Sequence, residues 1–258
     1  MTNYFLFLYN LEIILTRDNF NFMDVPEISI AAEKLFDVFG FPITNTFLLT
    51  LIIGLCVVLL SFFAFKKKKI IPDSLQNFFE WAFEALLGYV DSITNDRKKT
   101  LKIFPLTAVI FIIVLLSNLL EILPGIGIFN FLRSPSSDLN FTLALAVFSM
   151  VSVHILSLQD LGFSNYIKKY ISKNPIFLFV GLLEGMGELT RTFSLAIRLF
   201  GNLLAGEVLL MIVSFMLAYV FPLPFLALEI FVGFIQALIF SSLIIIFYVV
   251  TSEKPEQR

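Results

Sequence analysis

Between Ile43 and Phe65 the chain reads ITNTFLLTLIIGLCVVLLSFFAF, an apolar run closed abruptly by Lys66 to Lys69. About 20 mainly apolar residues carry a helix across the hydrocarbon core of a bilayer. Further runs of that kind follow at about 104–123, 140–158, 176–217 and 225–250. With 58% hydrophobic and only 15% charged residues, and a mean hydropathy of +0.91, the 258-residue chain has too little polar surface to cover a water-soluble core. The expected fold is an all-α membrane protein with about five transmembrane spans.

Residues 1–42 are expected to form an external N-terminal segment, and 43–258 a single membrane domain. Residues 1–22 hold an apolar patch broken by Asn10 and Glu12, which reads as interfacial. They lack the basic start and small-residue cleavage site of a signal peptide, so removal is not expected. After Pro72, the apolar residues Phe78, Phe79, Ala82, Phe83, Leu86, Leu87 and Val90 recur every three or four positions. That spacing predicts an amphipathic helix lying in the interface. The fourth run is too long to cross upright and must tilt strongly or break. Pro222 and Pro224 turn it into the fifth run, giving a long C-terminal helical hairpin. The loops after the first and third spans are basic, and those after the second and fourth are nearly free of basic charge. The positive-inside tendency therefore puts the N-terminus outside and the C-terminus inside.

The fourth run carries the most informative charges. Residues 183–210 read LEGMGELTRTFSLAIRLFGNLLAGEVLL, with Glu184, Glu188, Arg191, Arg198, Asn202 and Glu207 inside an otherwise apolar helix. An arginine near the centre of a span costs about 2.5–3.5 kcal/mol even on the mildest insertion scale. On a helical projection Glu184, Arg191, Ser194, Asn202 and Ala205 fall within about 40° of Arg198, with Ile197 taken as turned away. No acid stands one turn from Arg198. Water or a carboxylate from elsewhere must meet it, because guanidinium does not shed its charge. Glu207 and Glu184 sit toward opposite membrane surfaces on different azimuths, which suits two offset aqueous pockets better than one straight pore. Counting outward from residues 217–218 pairs Arg198 with Gln236 and Glu207 with Glu229 at similar depth across the hairpin. Close carboxylates of that kind can share a proton.

Other polar residues have plainer readings. Glu188 and Arg191 read as a local ion pair, Asn118 and Glu121 as boundary residues, and Asp138 as an N-cap beside Asn140. Cys56 and His154 are single and lie in apolar runs, so no metal site is expected, and His154 reads as a packing or pore residue. Nothing resembles a nucleotide loop, a Ser/His/Asp set or a nucleic-acid patch. The chain is expected to be no catalyst on its own and to need no cofactor.

The segment SLAIRLFGNLLAGE, from Ser194 to Glu207, resembles the arginine-helix signature of the a subunit of F-type ATP synthases. GFPITNT at 40–46, SNLLEILPG at 117–125, PSSDLNFT at 135–142 and FIQALIF at 234–240 support the same resemblance. It implies a stator subunit of the Fo sector that forms two proton half-channels and couples proton flow to rotation and ATP synthesis. Its partners would be the c-subunit ring, the b-subunit peripheral stalk, other F1Fo subunits and the bilayer, with no nucleic acid. The setting would be a bacterial inner membrane or, alternatively, a mitochondrial one. By matched position Arg198 would face the ring carboxylate. Asn202, Glu207 and Glu229 would line the outer half-channel, Gln236 would stand beside the arginine, and Glu184 and Ser194 would belong to the inner side. Glu121, Asn118, Asp138, Asn140 and His154 are secondary candidates. A different class remains: a proton-coupled secondary transporter binding an anionic substrate at Arg198.

Overall fold

Each apolar run of the sequence becomes a helix whose ends differ from the expected ones by a few residues. The computed structural model describes residues 34–38, 41–65, 73–120, 122, 134–170, 175–216 and 222–253. The reading of residues 1–22, and the candidate Glu121, lie outside the described residues. Within these residues the helices are α1 (Asn45–Phe65), α2 (Ser74–Thr94), α3 (Arg97–Leu120), α4 (Leu139–Leu161), α5 (Phe163–Tyr170), α6 (Pro175–Met216) and α7 (Pro222–Thr251). Two antiparallel strands that the sequence did not suggest, β1 (Lys34–Val38) and β2 (Phe41–Thr44), precede α1 and pair Asp37 with Pro42.

Four helices, α3, α4, α6 and α7, are long and apolar enough to cross a membrane. The 21-residue α1 would be about 31 Å long, with its described apolar part at Asn45–Leu59. α6 runs unbroken for 42 residues, or about 63 Å, so of the two options open to it breakage is excluded. α2 is the expected amphipathic helix, burying Val90 while Phe78, Trp81 and Phe83 stay exposed. It ends where Asn95 turns left-handed (φ 51°) and returns its N–H to the Asp91 carbonyl, a conformation asparagine tolerates.

α7 is the packing axis, in contact with α2, α3, α4 and α6. Lipid tails are as apolar as leucine, so helices in a membrane associate through close packing and hydrogen bonds rather than through burial from water. α7 supplies that closeness with Gly233, Ala237 and Ser241, small buried residues four apart on one face. Against Gly233 lies Asn118 of α3, whose amide donates to the Gly233 carbonyl at 3.0 Å. A methyl group added at Gly233 would stand 3.0 Å from the Asn118 Cβ, so the two backbones approach only because no side chain intervenes.

The expected N-cap is present. Asp138 accepts from the backbone N–H of Asn140 at 2.9 Å, and its second oxygen accepts from the Thr46 hydroxyl at 2.9 Å. One buried carboxylate thus starts α4 and fastens the first turn of α1 to it. Asp138→Ala is expected to destabilise the fold by about 2 kcal/mol, combining the cap and the charged hydrogen bond. Asp138→Asn should retain most of that, as thermal unfolding in detergent would measure.

Candidate polar path on the long helix

α6 separates its faces sharply. Leu195, Ala196, Leu199 and Leu203 are buried against the bundle, whereas Ser194, Arg198, Asn202 and Ala205 are exposed. Ile197, expected on the opposite side, belongs to the open surface as well at 57% exposure. The buried stripe is centred more than a right angle away from Arg198, with Leu195 at its near edge about 60° off, and Ile197 falls on the other flank of the exposed arc. Among the described residues no side chain forms a hydrogen bond or ion pair with Arg198, in keeping with the missing acid on its own face.

Toward the C-terminal end of α6 a group of polar side chains converges between α3, α6 and α7. Asn202 donates to the Gln236 side-chain oxygen at 2.9 Å. Glu229 and Gln236 are almost wholly buried, at 9% and 2% exposure. Together with Asn118, Gly206 and Gly233 they line a cavity of about 180 Å³. Its lining includes buried atoms without a partner among the described residues: both oxygens of Glu229, the Gln236 nitrogen and the Asn118 oxygen; one oxygen of Glu207, the electrostatic neighbour of Glu229, is buried and unpartnered as well. Unpaired polar atoms in hydrocarbon cost several kcal/mol each, so this chamber suits water and transferable protons. Gly206 leaves the space that the Glu229 carboxylate fills; a Cβ there would overlap it.

The hairpin register differs by one turn from the expected one. Gln236 bonds Asn202 rather than lying level with Arg198. The reason is the turn: α6 ends at Met216 and α7 begins at Pro222, so the hairpin is centred on residue 219 and not on 217–218. A centre displaced by two residues displaces each partner by four, which is one helical turn.

A second polar group lies near the other end of α6, across α4 and α5. The Tyr170 hydroxyl donates to one Glu188 oxygen at 2.6 Å, and His154 Nε2 stands 3.7 Å from the other. His154 Nδ1 and the Tyr166 hydroxyl are 2.7 Å apart. Burial raises the Tyr166 phenol above its ordinary value near 10, and raises Tyr170 further, where a hydrogen bond to Glu188 adds to it. Both phenols therefore stay neutral. Glu184, one turn from Glu188, acts on Tyr166 electrostatically. The expected Glu188–Arg191 ion pair is not formed, because Arg191 is turned over the Phe247 ring, 5.6 Å from its centre. His154 is thus not single in space: its ring packs edge-on against Tyr166 and meets Glu188 as well. Tyr166 and Tyr170 escaped sequence reasoning although they stand four apart on a short basic helix. The same is true of Asp160, which gathers Lys102 and the Tyr248 hydroxyl beside it.

The chain matches the family model described as ATP synthase A chain over residues 46–249. It belongs to that family. It is 31% identical over 222 residues to ATP synthase subunit a of Legionella pneumophila (strain Paris), covering 86% of this chain and 92% of that one. ATP synthase subunit a of Geobacter sulfurreducens is 33% identical over 201 residues, covering 77% and 83% of the two chains. The Gloeobacter violaceus protein of the same name is 35% identical over 203 residues, with 77% and 80% covered. The family expected from the arginine helix is the family found, and a secondary transporter is not favoured. Membership makes this chain a membrane component of an ATP synthase, and the matched region contains every polar residue of both groups. A double-cysteine experiment checks the register: Asn202→Cys with Gln236→Cys should cross-link more efficiently than Arg198→Cys with Gln236→Cys.

Proposed function

We propose that the chain is the ion-conducting stator of the synthase, working against a ring of c subunits and anchored by a b-subunit peripheral stalk. The observation that carries this reading is Arg198: a charge that cannot be discharged, exposed on α6 with no partner among the described residues, between two polar groups at different depths. On that reading the missing partner is a carboxylate on the ring. Arg198 favours its ionised form when it comes alongside, since a nearby cation stabilises a carboxylate. The same fixed charge bars protons from passing straight between the two polar groups.

A proton enters from the outer side through the chamber of Glu207, Glu229, Asn118, Asn202 and Gln236 and neutralises a ring carboxylate. The neutral acid is free to move into lipid. After nearly a full rotation it reaches the inner side near Glu184, next to Ser194 and Arg198, and releases the proton. Each charge that crosses 100 mV supplies about 2.3 kcal/mol, and several protons together drive the rotor. The chain itself performs no covalent step and is not an enzyme alone. Asp138 and Asn140 serve the fold of α4 and lie off the path. The basic loops support an N-terminus outside, a C-terminus inside, five crossings and a bacterial inner membrane.

Arg198→Ala should abolish ATP-driven proton pumping while the complex still assembles; substantial coupled pumping by that variant, read as acidification of inverted vesicles, would refute the assignment. Glu207→Gln should slow proton uptake without stopping it. In the same vesicles, cysteines at Ser194 and Asn202 should cross-link to a ring helix, and a cysteine at the buried Leu199 should not.

A further inference from the structure

The proposed path names Glu184 on the inner side but leaves unused the closed polar ring next to it, formed by His154 of α4, Tyr166 and Tyr170 of α5, and Glu188 of α6. A carboxylate oxygen only accepts, so Tyr170 commits its proton to Glu188 at 2.6 Å. The Tyr166 ring lies 5.4 Å from that of Tyr170, and its hydroxyl is 2.7 Å from His154 Nδ1. His154 Nε2 faces the other Glu188 oxygen at 3.7 Å. Neutral imidazole has two tautomers. With Nδ1–H donated to Tyr166, Nε2 and the carboxylate are two acceptors with room for one proton between them; with Tyr166 donating to Nδ1, Nε2–H fills that place. One proton can therefore enter the gap from either side.

Among the described residues the surroundings leave this pair to itself. From α6, Glu184 reaches Tyr166 through space and Arg191 is held over Phe247. On α5, Lys168 is exposed, and beyond α4 Lys102 and Tyr248 are engaged by Asp160. The side chains of His154 and Glu188 are 29% and 13% exposed, so the imidazole is the more open of the two.

We propose that His154 and Glu188 form a proton-loading site at the inner end of the ion path, one that receives protons released near Arg198 and passes them to the inner solution. This rests on the reading of α6 as that path. The proton balance is simple. The Glu188 carboxylate takes up a proton released near Arg198 and becomes the acid, then transfers that proton to the free Nε2 of the Nδ1–H tautomer, which leaves a carboxylate and an imidazolium. The imidazolium gives the Nε2 proton to water at the inner surface and returns to the Nδ1–H tautomer, donating to Tyr166. No other bond changes. Imidazole suits the last step because either ring nitrogen can hold or yield a proton.

The test is proton conduction by the intact synthase in liposomes, followed against the pH of the compartment facing α5. The wild type should show pH-dependent conduction. His154→Gln keeps an amide able to bond Tyr166 but cannot carry a proton onward; it should flatten that dependence and slow conduction about tenfold at neutral pH. Glu188→Gln should do the same, and the double variant should be no slower than the slower single one. Unchanged profiles in both single variants would overturn the proposal. So would a loss that is uniform at every pH and multiplies in the double variant, since that marks a ring that only pins α5. If His154→Gln fails to assemble, Glu188→Gln and Tyr166→Phe decide on the same criterion. An Arg198→Ala control separates the two failures: if it still pumps, the ion-path reading falls, and if it is blocked while these variants keep the wild-type profile, only the loading site falls.

Discussion

A guanidinium keeps its proton at any pH a cell meets, and hydrocarbon does not solvate it. Much else in this chain follows from placing one at Arg198. The helix that carries it buries a stripe of leucine and alanine on one side and leaves Ser194, Arg198, Asn202 and Ala205 open on the other. Had the arginine faced inward, the bundle would need a carboxylate of its own to meet it. The described acids have other company instead: Asp138 with Thr46 and a helix start, Asp160 with Lys102 and Tyr248, Glu188 with Tyr170. Glu229 lines its own chamber, with Glu207 as its electrostatic neighbour.

Packing without help from water puts its own demands on α7. The spacing of Gly233, Ala237 and Ser241 brings backbones close enough for dispersion forces and for a side-chain-to-backbone hydrogen bond from Asn118. The large buried residues Phe240, Ile244, Ile245 and Tyr248 fill the remaining faces of the same helix. A rigid axis of this kind lets α6, exposed along much of its length, hold its polar residues at fixed positions along its axis.

Much of this was legible in the residues. Long apolar runs and basic loops are strong signals, so helix identities were predictable, and the cap at Asp138 followed from one aspartate before an apolar stretch. Hairpin register was off by one turn because the centre of a turn rich in apolar residues leaves no mark in the sequence. The Glu188–Arg191 pair failed because spacing along one helix says nothing of what neighbouring helices offer: Tyr170 and Phe247 compete from elsewhere and win. His154 looked alone for the same reason, since its partners come from two other helices.

The chamber between α3, α6 and α7 owes its size to atoms that are missing. Gly206 and Gly233 stand on facing helices, and each leaves the room of a side chain to a polar neighbour, Glu229 in one case and Asn118 in the other. Larger residues at these two positions would fill the chamber without replacing a single titratable group. The room in the chamber is therefore set by steric vacancy, at two residues that carry no chemistry of their own.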